Sequence, residues 1–142
     1  MNVEVRILDG ALARPAERGP GSGVGAVIAF EGVVRGEENG RAITGLEYEV
    51  YEGMAEREVE RLAVEVATTH GLMAVRVWHS RGFVAVGACS FRLEVESAHR
   101  QEGLRAVAEF IDRLKRDVPI WKRAVEDRAD SSQAPNRAGQ QF

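Results

Sequence analysis

The stretch that decides the fold is residues 88–123, which read ACSFRLEVESAHRQEGLRAVAEFIDRLKRDVPIWKR. Its first part alternates apolar and polar side chains, with Phe91, Leu93 and Val95 on one face. A period of two residues is typical of a strand with one buried face. The pattern then changes to the helical period, and the stretch ends in a basic segment that follows a proline. One short piece of chain therefore contains a strand, a helix and an extended basic segment.

The helical part is predicted to span residues 98–117. Ser97 is a reasonable N-cap, because its hydroxyl can accept a hydrogen bond from a free amide of the first turn. Pro119 stops the helix, and Val118 before it is pushed towards extended geometry. The apolar side chains recur at helical spacing, and the predicted buried stripe consists of Leu104, Val107, Ala108, Ile111 and Leu114.

The chain before this stretch mixes strands with one more helix. That helix is predicted from 54 to 70, with Gly71 as its stop. Residues 36–40 are polar and bounded by glycines, which predicts a mobile loop. Because strands and helices do not alternate strictly, the fold class is predicted to be α+β. Strands are predicted at residues 2–8, 24–30, 44–51, 73–78, 83–86 and 88–96.

Length and composition limit the classes of fold and function that this chain can have. A chain of 142 residues is one domain by its length, and a net charge of −3 argues against a bulk nucleic-acid binder. Cys89 is the single cysteine, so an internal disulfide is impossible, and the three histidines lack metal-ligand spacing. With neither a signal peptide nor an apolar run of membrane length, we expect a cytoplasmic protein. Residues 1–123 are predicted to form the domain, and the polar residues 124–142 a flexible tail.

Two lysines stand out near the end of the second helix. Lys115 follows Ile111 by four residues, which places it at the edge of the apolar stripe. Desolvation there lowers the pKa of a lysine, as enzymes require of a base or nucleophile. Lys122 follows seven residues later, beyond Pro119. Cations in a last turn also complement the helix dipole, so the pattern alone leaves a purely structural role open.

Further cations lie at the start of the same helix and after an apolar strand. His99 and Arg100 fall in the first turn, where free amides favour anions, so they could form a phosphate or carboxylate seat. Arg100 lies four residues before Leu104 and belongs near the stripe. Arg35 leads from a strand into the glycine-bounded loop, a position that often carries functional residues. On the pattern alone, His99 and Arg100 could equally be solvated surface groups, and Arg35 taken by itself is more typical of a surface arginine.

Four segments in register give the chain a specific resemblance. The chain resembles the large, catalytic subunit of molybdopterin synthase, and the matching segments span most of residues 24–123. They read FEGVVR at 30–35, LEYEVYEGMA at 46–55, SAHR at 97–100, and DRLK at 112–115 running into VPIWK at 118–122.

The resemblance implies an α/β-hammerhead fold with a mixed, mostly antiparallel sheet and two main helices. It implies a homodimer that binds two small ubiquitin-like sulfur-carrier subunits, giving a heterotetramer. The carrier's C-terminal thiocarboxylate would deliver two sulfurs to cyclic pyranopterin monophosphate and form the dithiolene of molybdopterin. This subunit would bind no metal or cofactor of its own, because the sulfur arrives on the partner. No nucleic acid or membrane partner is implied.

The resemblance also implies roles for individual residues. Lys115 is expected to assist acyl transfer or proton movement at the thiocarboxylate, and Lys122 to bind the substrate phosphate or pterin. Part of the pocket is expected at the dimer interface, so these groups could come from two chains. The remaining predicted substrate-binding residues are Val33 and Val34 as walls with backbone contacts, Arg35, His99 and Arg100 as anion ligands, and Arg123 and Ala124 beside Lys122.

Two positions depart from the family pattern. The family usually has a glutamate two residues after the WK lysine, where this chain has Ala124, and Glu126 could compensate. The family commonly has an asparagine three residues after the arginine, where this chain has Glu38 followed by Asn39. The alternative function is a non-catalytic module that binds a ubiquitin-like tail or a phosphorylated metabolite. An RNA-binding domain is disfavoured by the acidic balance and the lack of paired exposed aromatics.

Overall fold

The computed structural model describes residues 1–126 and the backbone of residues 136–137. Two long helices accompany a mostly antiparallel sheet, which confirms the predicted α+β class. The second predicted helix and most predicted strands appear with shifted ends, whereas α1 has the predicted bounds. The elements are β1 Asn2–Asp9, β2 Ala26–Val33, β3 Glu37–Glu38, β4 Arg41–Ala42, β5 Gly45–Val50, α1 Met54–His70, β6 Ala74–Ala85, β7 Cys89–Ser97, α2 Arg100–Asp117, β8 Ile120–Val125 and β9 Asn136–Arg137.

The main sheet has the order β2-β7-β6-β5-β8-β9, and β1 pairs in parallel with β6. The long strand β6 joins two regions of this sheet. Residues 74–79 pair with β7, whereas residues 82–85 pair with β5. The prediction of two separate strands at 73–78 and 83–86 is wrong, because the chain continues as one strand from Ala74 to Ala85. Gly82 has φ of 79°, so it bends the strand with a backbone conformation that a glycine adopts at no steric cost.

The core lies between the helices and the inner face of the sheet, where Phe91, Leu93 and Phe110 are fully buried. The predicted stripe of α2 is partly wrong, because Leu104 is 55% exposed and Ala108 is also exposed. The hydrophobic pattern does not predict this orientation of α2, because the residue in closest contact with the sheet is Gly103, which has no side chain. The inward residues of α2 are Gly103, Ala106, Val107, Phe110 and Leu114.

Helix α2 begins two residues later than predicted. Its N-cap is His99, which has an extended backbone with φ of −132° and ψ of 156°. Ser97 is not the cap, because it is the last residue of β7 and its Oγ donates to the carbonyl oxygen of His99 at 2.7 Å. The helix then runs to Asp117, where Val118 takes the extended conformation expected before a proline.

Residues 37–42 form a short hairpin of two paired strands, where a mobile loop was predicted at 36–40. Strands β3 and β4 pair around Asn39 and Gly40, whose φ angles of 52° and 78° are both left-handed. An Asn-Gly pair is a strong hairpin signal because a tight two-residue turn requires positive φ at both positions. The hairpin carries Glu38, an acidic side chain of the candidate site.

The predicted boundary after residue 123 falls within β8, which continues to Val125 and pairs with β9. Residues 127–135 and 138–142, on which the prediction of a flexible tail rests, lie outside the described residues. In the part of the chain that the structure describes, neither helix is long and apolar enough to cross a membrane.

Candidate active site

The candidate site is built around Lys122, a lysine on the inner face of the sheet. Strand β8 pairs antiparallel with β5, and Lys122 lies directly opposite Tyr48. Side chains alternate along a strand, so Lys122 shares the face of the buried Ile120. The side chain of Lys122 is only 1% exposed. A buried lysine is uncommon and normally requires a partner for its charge.

That partner is Glu38, the last residue of β3. Its Oε1 lies 3.1 Å from the Nζ of Lys122, and its side chain is 13% exposed. Its other oxygen, Oε2, is buried and has no hydrogen-bond partner among residues 1–126. The tight turn at Asn39 and Gly40 fixes the hairpin that carries this carboxylate. The hairpin thus covers Lys122 and places the negatively charged carboxylate of Glu38 next to its amine.

Burial lowers the pKa of Lys122, because removing the amine from water disfavours its charged form. Glu38 acts in the opposite direction, through both its hydrogen bond and its charge. The positive charges of Arg35 and Lys115 lower the pKa further. Among the described residues, burial, Arg35 and Lys115 therefore lower the pKa of Lys122, and Glu38 raises it.

Arg35 and Lys115 reach this site from two other elements. Arg35 is exposed just after β2, and Lys115 is half-buried in the last turn of α2. The edge-of-core position predicted for Lys115 is therefore found, although the stripe beside it differs from the prediction. An open cavity of about 600 Å³ lies beside Arg35, where a ligand could reach its guanidinium. It is lined by Arg35, Gly36, Glu37, Asn39 and Gly40.

His99 and Arg100 are not brought to this site within one chain. Arg100 begins α2 and Lys115 lies in its last turn, so at 1.5 Å per residue they are about 22 Å apart along the helix. Both residues at the helix start are exposed, and the Nδ1 of His99 lies 3.6 Å from Glu102. The prediction that Arg100 lies near the apolar stripe is wrong, because the inward face of α2 starts at Gly103.

The other predicted neighbours take different positions. Val34 is buried, and its amide donates to the carbonyl of Ala88, so this amide is not available for the predicted backbone contact with substrate. Val33 is 43% exposed beside Arg35 and can form a wall. Arg123 lies opposite Glu47 on the face of β8 away from Lys122, whereas Ala124 shares the face of Lys122.

Sequence reasoning treated Glu38 only as a departure from a family pattern and proposed Glu126 as the compensating acid. The structure places Glu126 3.4 Å from Arg41, so its carboxylate has a different cation. Tyr48 was also missed as a neighbour of the site, and its hydroxyl is bonded to Ser90 at 2.8 Å. Burial raises the pKa of Tyr48 to about 12. The Asn-Gly pair could have predicted the hairpin, but no pattern predicts that its acid reaches a strand more than 80 residues away.

The two lysines of the site are the only lysines in a chain that also has 17 arginines. This matters chemically because an arginine does not lose its proton in proteins, whereas a lysine can act as a base or nucleophile. Among the described residues, no group of three or more His, Cys, Asp or Glu side chains could hold a metal ion. The site thus brings Arg35, Lys115 and Lys122 close together, and Arg35 also lines an open cavity.

Comparison with known proteins identifies the family. A sequence model described as MoaE protein matches residues 9–117. The molybdopterin synthase catalytic subunit of Pyrococcus abyssi is 36% identical over 109 residues, which cover 77% of this chain and 74% of the relative. The chain belongs to the MoaE family. The catalytic subunit of Rattus norvegicus is 37% identical over 113 residues and covers 80% of this MoaE chain, but these are 56% of the rat protein.

Solved structures have the same fold as this MoaE chain. The molybdopterin synthase of Staphylococcus aureus superposes with a TM-score of 0.72 at 31% identity and covers 78% of this chain and 80% of its own. A complex of subunits 1 and 2 of the molybdopterin-converting factor of Helicobacter pylori has a TM-score of 0.70. It is 24% identical and covers 94% and 89% of the two chains, so it supports the fold alone.

Proposed function

We propose that this chain is the catalytic subunit of a molybdopterin synthase. In this function it takes sulfur from the C-terminal thiocarboxylate of a small ubiquitin-like partner and delivers it to cyclic pyranopterin monophosphate. Two such transfers form the dithiolene of molybdopterin. The observation that carries the proposal is the cluster of Arg35, Lys115 and Lys122 on a MoaE fold, in which Arg35 lines an open cavity.

The chemistry of this cluster suits the two anions of the reaction. The substrate carries a phosphate, and the partner's tail carries a negatively charged thiocarboxylate. An arginine binds either oxyanion through paired hydrogen bonds, and the lysines add compact charges that also move protons. Lys115 is assigned to acyl transfer at the thiocarboxylate, and Lys122 to the substrate phosphate or pterin.

The single cysteine supports a sulfur donor on another protein. The thiol of Cys89 is half-buried, and its Sγ donates to the carbonyl of Phe91 at 3.2 Å. Burial raises the pKa of this thiol, so it stays protonated at neutral pH and is a poor nucleophile. A sulfur carried in by the partner removes the need for such a nucleophile in this chain.

The position of His99 and Arg100 supports a site shared between two copies of the chain. These residues lie a helix length from Lys115, so they complete the pocket only if a second copy presents its helix start there. In a two-fold symmetric dimer each copy would give and receive this helix end. One small subunit at each site then gives the heterotetramer.

Reconstitution tests this function. Purified chain, thiocarboxylated partner and cyclic pyranopterin monophosphate are mixed, and the dithiolene product is measured. Lys115→Ala should reduce the rate by about 100-fold or more, the usual scale for removing a group that moves protons. Arg116→Ala is the matched control, because Arg116 is an exposed cation in the same turn that pairs with Asp117. Full activity of Lys115→Ala would refute the assignment.

The second candidate is a binding module without turnover. The observation that favours it is Ala124, which shares the face of Lys122 but offers no carboxylate there. Such a module would bind the partner tail or a phosphorylated metabolite and yield no dithiolene in the same assay. Binding without product from the wild-type chain would therefore select this alternative.

A further inference from the structure

The ion pair between Glu38 and Lys122 has the features of a functional contact. It joins two side chains that are 13% and 1% exposed across elements far apart in the sequence. Buried ion pairs contribute little net stability, because the lost hydration offsets the attraction between the charges. The second carboxylate oxygen of Glu38 is buried without a hydrogen bond among residues 1–126, which adds a further cost. The arrangement is therefore poorly explained by stability alone.

The charges around the amine show what Glu38 does there. Arg35 and Lys115 are the cations that act on Lys122, and Glu38 is the carboxylate that opposes them. Tyr48, opposite Lys122 on β5, feels the charge of Glu38 as well. Loss of Glu38 would remove a hydrogen bond and a negative charge that both favour the protonated amine. The carboxylate thus keeps a proton on the lysine and holds its amine at a fixed place.

Glu126, the other acidic residue near Lys122 in the sequence, is not placed to hold the lysine amine. Glu126 lies at the end of β8 and pairs with Arg41 at 3.4 Å, on the second strand of the hairpin. Ala124, two residues after Lys122, has no charge. The hairpin turn at Asn39 and Gly40 presents Glu38 in a preset geometry, because both positions have the left-handed backbone of a tight turn.

We propose that Glu38 is the positioning residue of Lys122, holding the lysine amine in its reactive orientation and charge state through the buried hydrogen bond. This inference rests on the proposed function, since the lysine's role in sulfur transfer comes from there. Glu38 itself is not assigned to contact the substrate. It acts through the lysine, and an anionic substrate group that approaches the amine competes with the carboxylate for the same proton.

The first test measures the pKa of Lys122 directly and does not depend on enzymatic activity. Because the chain has only two lysines, a protein labelled with ¹³C at lysine Cε gives two side-chain NMR signals, which Lys115→Arg assigns. Glu38→Gln should lower the pKa of Lys122 by about one unit or more, since a favourable charge is lost. Glu126→Gln should leave this pKa where the wild type has it. The proposal is overturned if Glu38→Gln leaves the titration unchanged or if Glu126→Gln moves it instead.

The second test uses the complete complex with its thiocarboxylated partner. Glu38→Gln should lower kcat by roughly tenfold or more and move the alkaline limb of the pH profile to lower pH, because the lysine then loses its proton at lower pH. Glu38→Asp retains a carboxylate on a shorter side chain, so it should restore part of kcat and part of the wild-type pH profile. This variant also keeps the test decisive if Glu38→Gln fails to fold. A loss of activity without a change in the pH profile indicates a merely structural role and contradicts the proposal. If the wild-type complex makes no dithiolene, the proposed function fails, while the NMR titration still decides the role of Glu38.

Discussion

At the scale of single residues, the site depends on which polar groups the fold buries. Lys122 and His79 are both almost fully buried, but only the lysine has a charged partner. His79 packs between Tyr48 and Phe91, with ring centroids 5.3 and 5.9 Å away. Its Nδ1 is 2.7 Å from the carbonyl oxygen of Ser80 and serves as the donor, whereas Nε2 has no hydrogen-bond partner within residues 1–126. The lysine can keep its proton in the folded protein, and the histidine cannot.

His79 predicts a loss of stability in mild acid. Burial lowers the pKa of this histidine from 6.5 to about 4. Between these values the unfolded chain binds a proton that the folded chain does not, so the free energy of unfolding falls as the pH falls through this window. The loss attributable to His79 should reach about 3 kcal/mol and level off below the folded pKa.

Urea unfolding at a series of pH values measures this effect. His79→Asn can still donate to the Ser80 carbonyl but does not titrate, so its free energy of unfolding should vary less steeply with pH than that of the wild type. The variant also leaves a cavity, which lowers stability at every pH without changing the slope. Parallel curves for the two proteins would contradict the assignment of this pH dependence to His79.

At the scale of elements, the seat of α2 on the sheet depends on one glycine. A Cβ at Gly103 would lie 2.6 Å from the Cδ1 of Ile28 and 2.7 Å from the Oγ of Ser97. The Ser97 hydroxyl is held by its bond to the carbonyl of His99, so it cannot simply rotate away. The close approach of α2 to β2 and β7 therefore requires the absence of a side chain at this position.

Gly103→Ala should destabilise the fold, although alanine favours a helix over glycine by about 1 kcal/mol. Overpacking in a well-packed contact costs about 1–3 kcal/mol, so the expected net change is a loss of about 1 kcal/mol. Gln101→Ala, at an exposed position of the same helix, is the control and should change stability by no more than about 0.5 kcal/mol. Thermal or urea unfolding measures both, and a gain in stability for Gly103→Ala would rule out the proposed contact.

Sequence patterns predicted elements better than the contacts between them. Helix α1 has its predicted bounds because its apolar spacing and the left-handed Gly71 are both local signals. The stripe of α2 was misplaced because Gly103 packs without contributing hydrophobicity. Of the site, Arg35, Lys115 and Lys122 were predicted and do converge. Glu38 was not predicted, since its ion pair depends on how a hairpin folds against a distant strand.

At the scale of the whole molecule, α2 separates two sets of cations. Arg100 and Lys115 lie at opposite ends, about 22 Å apart at the rise of an α-helix. A single chain therefore cannot place both in one pocket through this helix. If the proposed pocket is shared, each active site needs the start of α2 from one copy and its end from the other.

Mixing two inactive variants tests the shared pocket. Arg100→Ala and Lys115→Ala chains are co-expressed, and the mixed dimer then contains one pocket with both residues intact and one with neither. With random pairing, activity should recover to about a quarter of the wild-type value. Lys115→Ala with Lys122→Ala is the control, because both changes fall in the same pocket half and no intact pocket can form. Recovery no greater than in this control would place both residues in one chain's site.

The close packing of α2 against the sheet at Gly103 fixes the position of the helix along its axis. In the proposed shared pocket, α2 would present Arg100 to the other copy and keep Lys115 for its own site, so a shift of the helix along its axis would move both residues by the same amount. A substitution that loosens the contact of Gly103 would then be expected to lower the activity of both proposed pockets together.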